Sequence, residues 1–176
     1  KGAFFILDID NFKIINDTCG HLVGDQVIMK VAANLQNNLR EEDLVGRIGG
    51  DEFCMYLNHI SCIEDIEKNA LRIIDNIRNL NISKLQKQLT VSMGICIVDT
   101  EKDFEDIFMK ADHALYEAKA NGRDQFVVYK NDYFSQIMQK KEKRKDRHEV
   151  TVNDILPKVF EMLNVFDKRD ELLAQT

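Results

Sequence analysis

Residues 3–9 read AFFILDI, a short apolar run that carries Asp8 and is followed at once by Asp10. A run of this length without helical spacing suits a buried strand that delivers carboxylates at its C-terminal end. Beyond Asp10, helical and strand periodicities alternate along the chain. From Asp25, after Gly24, the residues Val27, Ile28, Val31, Ala32, Leu35 and Leu39 recur at helical spacing, and Asp25 is a good N-cap for that helix. Leu44 to Ile48 and Phe53 to Leu57 are two short strands joined by Gly49, Gly50, Asp51 and Glu52, a hairpin whose turn carries two acids. Ile63, Ile66, Ala70, Ile73, Ile74, Ile77 and Leu80 predict a second amphipathic helix. Thr90 to Val98 reads as a strand, Phe104 to Ala120 as a helix with Ile107, Phe108, Ala111 and Leu115 inward, and Phe126 to Tyr129 as a last strand. The order β-α-β-β-α-β-α-β predicts an α/β (α+β) domain: a central mixed sheet flanked by helices.

Composition excludes several classes. The 176 residues are 44% hydrophobic and 31% charged, with 24 basic and 30 acidic residues and a net charge of −6. No apolar run approaches the roughly 18 residues of a membrane span. The acidic balance argues against nucleic acid as a partner, since phosphate-backbone binding needs a basic face. Cys19, Cys54, Cys62 and Cys96 have no CxxC spacing and read as reduced core thiols of a cytoplasmic chain.

Every glycine lies at or before Gly122 and the one proline, Pro157, lies after it, so a domain boundary is expected near Lys130. Beyond it, Lys140 to Arg147 (KKEKRKDR) reads as a solvated helix face or linker. Val152, Ile155, Leu156, Val159, Phe160, Leu163 and Phe166 form a helical stripe that needs a partner surface. Residues 131–176 are therefore expected to be a helical extension or a linker to a further domain.

Asp8, Asp10, Asp51 and Glu52 form two acidic clusters that converge if their strands are neighbours. Acids at strand ends are most simply solvated caps, but clustered carboxylates repel unless a cation sits between them. Hard oxygen ligands without cysteine or histidine select Mg²⁺. Lys13, Asn16, Asp17, His21 and Asp25 crowd the segment after the first acids, a density suited to a nucleotide site. Asn and Asp side chains can pair with a guanine edge. Lys119 and Arg123 flank the Asn121-Gly122 turn, where they suit phosphates or the last carbonyls of a helix equally well. Phe12, Ile14, Ile15 and Phe53 read as core or wall residues.

Four segments together, DIDNFKIINDTCGHLVGD (8–25), GRIGGDEF (46–53), TVSMGI (90–95) and KADHALYEAKANGRDQ (110–125), resemble the GGDEF-domain diguanylate cyclases over roughly residues 1–130. The resemblance implies a nucleotidyl-cyclase, palm-like fold with a five-stranded, mostly antiparallel sheet. It implies condensation of two GTP to cyclic di-GMP and two pyrophosphates in a homodimer, with two Mg²⁺ per site, replaceable by Mn²⁺. By resemblance, Asp8, the Ile9 carbonyl and Asp51 bind metal, Asp51 or Glu52 accepts the proton, and Lys13 stabilises transition-state charge. Asn16, His21 and Asp25 line the guanine side, and Lys119 and Arg123 hold the triphosphate. Arg40 and Asp43 match the RxxD motif of product inhibition, six residues before Gly49.

The family usually has a helix and a DxLTGLxNR-like segment before the first strand. This chain begins at that strand, so the expectation is a shortened piece that handles GTP less well than its parent. Membrane contact is expected only through parts of a longer protein. The alternative function is a receptor for cyclic di-GMP or GTP without turnover.

Overall fold

The computed structural model describes residues 2–85, 87–98 and 103–129. The expected tail helix, the basic run 140–147 and the boundary at Lys130 lie outside the described residues. The elements are β1 (Gly2–Ile9), α1 (Phe12–Cys19), α2 (His21–Asn38), β2 (Leu44–Gly49), β3 (Glu52–Leu57), α3 (Ile63–Arg78), β4 (Val91–Val98), α4 (Phe104–Ala120) and β5 (Phe126–Val128). The sheet order is β2-β3-β1-β4-β5. β1 is the central strand and runs antiparallel to both β3 and β4, while β4 and β5 are parallel. This is the mixed, mostly antiparallel five-stranded sheet expected.

β1 is buried along its whole length because both of its faces are covered. Ala3, Phe5, Leu7 and Ile9 point to one layer, with Val27, Val31 and Leu35 of α2 and Ile66, Ile73, Ile74 and Ile77 of α3. Phe4 and Ile6 point the other way, into a smaller cluster with Cys54, Cys96 and the α4 residues Ile107, Ala111 and Leu115. The period-2 alternation of a strand then carries Asp8 onto the α4 side of the sheet, beyond Ile6. Phe4 fixes that layer through an edge-on contact with Phe104, ring centroids 5.7 Å apart. Gly94 lets α4 sit directly on β4: a Cβ there would lie 2.0 Å from the Ala111 carbonyl oxygen and 2.2 Å from the Leu115 nitrogen.

Several expectations are corrected. Residues 12–19 form a helix, α1, that the sequence reading did not assign, and α2 starts at His21, so Asp25 is a residue of its second turn and not its N-cap. Ile14 is 61% exposed and Ile63 50% exposed, outside the core. Glu52 is the first residue of β3, leaving Asp51 with Gly50 in a two-residue turn. Of the cysteines, Cys54 and Cys96 are buried but Cys19 is half-buried and Cys62 exposed. Burial pushes the Cys54 thiol up to about 11.

Candidate active site

Asp8 stands opposite Glu52 on β3 and Ser92 on β4. The hairpin turn is tied to this end of β1, since the Ile9 N–H donates to the Asp51 carbonyl at 3.1 Å. Within the turn, Arg47 Nε donates to the Gly50 carbonyl at 2.9 Å. The pairing slips between Arg47 and Gly49, an irregularity of the kind that re-aims side chains at sheet ends. Asp8, Ile9, Asp51 and Glu52 are thereby brought together at one corner, as the residues predict.

That corner is electrostatically unbalanced. Asp8 is 8% exposed. Burial pushes its carboxyl above the usual range, opposed by the hydrogen bond and charge of Lys119 and reinforced by the negative charges of Asp51 and Glu52. Lys119 Nζ, reaching down from the last turn of α4, lies 2.8 Å from Asp8 Oδ2. Asp8 thus has one ammonium against it and the negative charges of Asp51 and Glu52 beside it, an arrangement that a divalent cation complements. Among the described residues no group of three or more His, Cys, Asp or Glu side chains is arranged to hold a metal ion by itself. An open corner with few protein ligands suits a hard divalent cation that keeps part of its water shell.

Asp10, two residues on and 4% exposed, is a different kind of acid. It accepts from Thr90 Oγ1 at 2.8 Å, Ser92 Oγ at 2.7 Å and the Asp124 N–H at 3.1 Å. Three neutral donors occupy it, so it serves the fold and is not an open ligand.

The other predicted residues lie on α1, α2 and the turn after α4. Lys13 is exposed in the first turn of α1 and His21 is exposed at the start of α2. Asn16 lies against Gly24, where a Cβ would come within 1.9 Å of its Oδ1. A glycine inside α2 therefore lets the Asn16 amide pack against that helix, a contact that sequence reading missed, and Asp25, the next residue, is exposed. Arg123 is exposed just after α4, at φ 65°. Arg40 and Asp43 are not part of this assembly. They lie between α2 and β2, at the far end of the strand that leads to the Gly50 turn, about 20 Å away at 3.3–3.4 Å per residue.

Residues 1–125 match the family described as Diguanylate cyclase, GGDEF domain. The chain belongs to the GGDEF family. It is 39% identical over 128 residues to the probable diguanylate cyclase DgcT of Escherichia coli, covering 70% of this chain and 28% of that protein. The active GGEEF domain of a diguanylate cyclase from Vibrio cholerae superposes with a TM-score of 0.67 at 30% identity, covering 74% of this chain and 84% of that one. The GGDEF domain of DgcB from Caulobacter crescentus, solved in complex with c-di-GMP, gives a TM-score of 0.67 at 28% identity, over 73% of this chain and 77% of that one. The chain spans about a quarter of the length of the curated relatives it matches.

Proposed function

We propose that this chain is the catalytic domain of a diguanylate cyclase, holding one GTP per subunit and joining two GTP across a homodimer into cyclic di-GMP. The observation that carries the reading is the cation-poor corner of Asp8, Asp51 and Glu52 in a GGDEF domain. In each half-reaction the 3′-oxygen of one GTP forms a bond to the α-phosphorus of the other. The bond from that phosphorus to the β-phosphate bridge breaks, pyrophosphate leaves, and the hydroxyl proton passes to the protein or to water.

The Asp8 and Asp51 carboxylates and the Ile9 carbonyl are the groups that would hold Mg²⁺, two ions per site, with Mn²⁺ as a substitute of the same oxygen preference. Held by these groups, such a metal would neutralise phosphate charge and lower the pKa of the attacking hydroxyl. The chain's own residues do the rest. Asp51 or Glu52 accepts the proton, Lys13 stabilises charge that develops on the transferring phosphate, and Lys119 and Arg123 grip the triphosphate. Asn16 and Asp25 pair with the guanine edge, with His21 beside them.

Arg40 and Asp43 form a second site, for the product. Their distance from the acidic corner supports control in the strict sense, with cyclic di-GMP bound there favouring an unproductive arrangement of the two subunits. The DgcB domain solved with c-di-GMP supports the identity of that ligand.

The deciding test is incubation with GTP and Mg²⁺ at low and high protein concentration, with Asp51→Ala as control and products separated by chromatography. Cyclic di-GMP rising more steeply than linearly with protein is the expected result. GTP binding without product at any concentration overturns the cyclase reading in favour of a GTP-binding module.

A further inference from the structure

Beneath the turn that carries Arg123 lies a run of polar contacts to which the proposed chemistry assigns nothing. Asp10 holds the Asp124 N–H from one side. From the other, Arg78 forks onto the Asp124 carboxylate, Nε to Oδ1 at 2.9 Å and Nη2 to Oδ2 at 2.9 Å, and Nη2 also donates to the Asp124 carbonyl at 3.2 Å. The third nitrogen, Nη1, is 2.8 Å from Asp75 Oδ1. Asp124 is thus gripped at its N–H, its carboxylate and its carbonyl. The grip joins residues 46 and 114 positions apart. It also joins layers, because α3 packs on one face of the sheet and α4 on the other, with only the three-residue β5 at that edge.

The turn needs such a grip. Arg123 and Asp124 both adopt left-handed backbone conformations, φ 65° and 52°. Two consecutive residues with side chains in that region are costly and persist only where the surroundings over-determine them. Arg123 is anchored on the N-terminal side by its N–H, which donates to the Ala118 carbonyl at 3.0 Å. On the C-terminal side the anchor is Asp124. The same segment carries Lys119, which already faces Asp8.

We propose that Arg78, acting through Asp124, is a positioning residue for the triphosphate of GTP: it fixes the turn that presents Arg123 to the phosphates, next to the end of the helix that carries Lys119. The proposal rests on the cyclase reading above and gives Arg78 no contact with substrate. A planar guanidinium suits the task because its two-point grip fixes orientation as well as distance.

The test compares wild type, Arg78→Gln, Arg78→Lys and Asp124→Asn by GTP kinetics, by thermal melting, and by the Kd of a GTP analogue with a methylene bridge between the α- and β-phosphates. Arg78→Gln is expected to raise KM and the analogue Kd about tenfold with kcat changed less than about threefold, the pattern of lost uniform binding. Guanosine, which lacks phosphates, should bind all variants alike. Arg78→Lys, a point charge without the fork, should recover only part of the loss. Asp124→Asn keeps the side-chain shape and should repeat the Arg78→Gln pattern even if that variant folds poorly. Unchanged KM and analogue Kd in both, or reduced kcat at unchanged KM with a lower Tm, overturns the proposal and makes the contact a structural clip. If wild type binds the analogue but forms no product, the cyclase reading falls while analogue affinity still decides the role of Arg78. If wild type does not bind the analogue, both fall.

Discussion

The two ends of the β2–β3 hairpin both carry acids, and they treat them in opposite ways. At the end near Arg40, the Asp43 carboxylate is occupied: its Oδ2 accepts from the Arg40 N–H at 3.1 Å and its Oδ1 from the Asn58 N–H at 2.9 Å. Asn58 returns a side-chain hydrogen bond to the Glu42 carbonyl. At the turn end, burial raises the pKa of Asp8, Lys119 opposes the rise as the counter-charge, and the negative charges of Asp51 and Glu52 add to it. One acid closes a loop and the others repel each other. A carboxylate that satisfies backbone donors is part of the fold, whereas a buried one held among like charges waits for a cation.

The sharpest way to break this comparison is Asp51→Ala. If the turn end is built for chemistry, product formation falls by about 10²–10⁴-fold, the range for a lost acid-base or charge-stabilising group. Stability does not fall with it, because removing Asp51 removes a like charge from beside Asp8. Product chromatography alongside a thermal melt reads both. A large drop in Tm would mean that the acids of the turn hold the fold instead.

Gly94→Ala comes next, at about 3 kcal/mol in denaturant unfolding, since the new methyl meets helix backbone that has no rotamer to yield. It lifts α4 and draws Lys119 away from Asp8, so GTP affinity falls in the folded fraction. Product affinity at the Arg40 end is retained, because the Asp43 bonds involve neither α4 nor β4.

How much of this could be read from residues alone depended on the range of the interaction. The strands and the helices α3 and α4 follow from local periodicity, and AFFILDI announced the central strand with its acids. Phe12, Ile15 and Cys19 have helical spacing too, but they lie among the polar residues Lys13, Asn16 and Asp17, which hid α1. Position 24 of α2 is a glycine because Asn16 occupies the space where a side chain would be, a contact between two helices that no window along α2 contains. Likewise Asp8 and Asp10 are indistinguishable as letters. Only the register, which brings Thr90, Ser92 and Asp124 to Asp10 and Glu52 to Asp8, separates the fold's acid from the site's. Arg78 gave no signal at all, its partner lying 46 residues away.

At the satisfied end, Asp43→Ala leaves the Arg40 and Asn58 N–H groups without their acceptor and is expected to cost about 2 kcal/mol in denaturant unfolding. Asp43→Asn keeps one acceptor oxygen and should recover part of that. A neutral Asp43→Ala would remove the distinction between the hairpin's two ends.

The smallest effect on stability belongs to Arg40→Ala, and it separates binding from folding at that same end. The Arg40 side chain is 69% exposed and its guanidinium comes no nearer than 4.0 Å to Glu42, so the side chain contributes little to the fold. Its backbone N–H, which holds Asp43, survives the substitution. Tm is expected to stay within about 2 °C of wild type. Product inhibition should weaken about tenfold, the scale of one charge-assisted contact to a phosphate. Because Asp43 serves the fold as well as the motif, its loss mixes two effects, and Arg40→Ala is the cleaner probe of feedback. Inhibition by cyclic di-GMP that is unchanged in Arg40→Ala would remove the second site from the proposed function and leave the loop a purely structural closure.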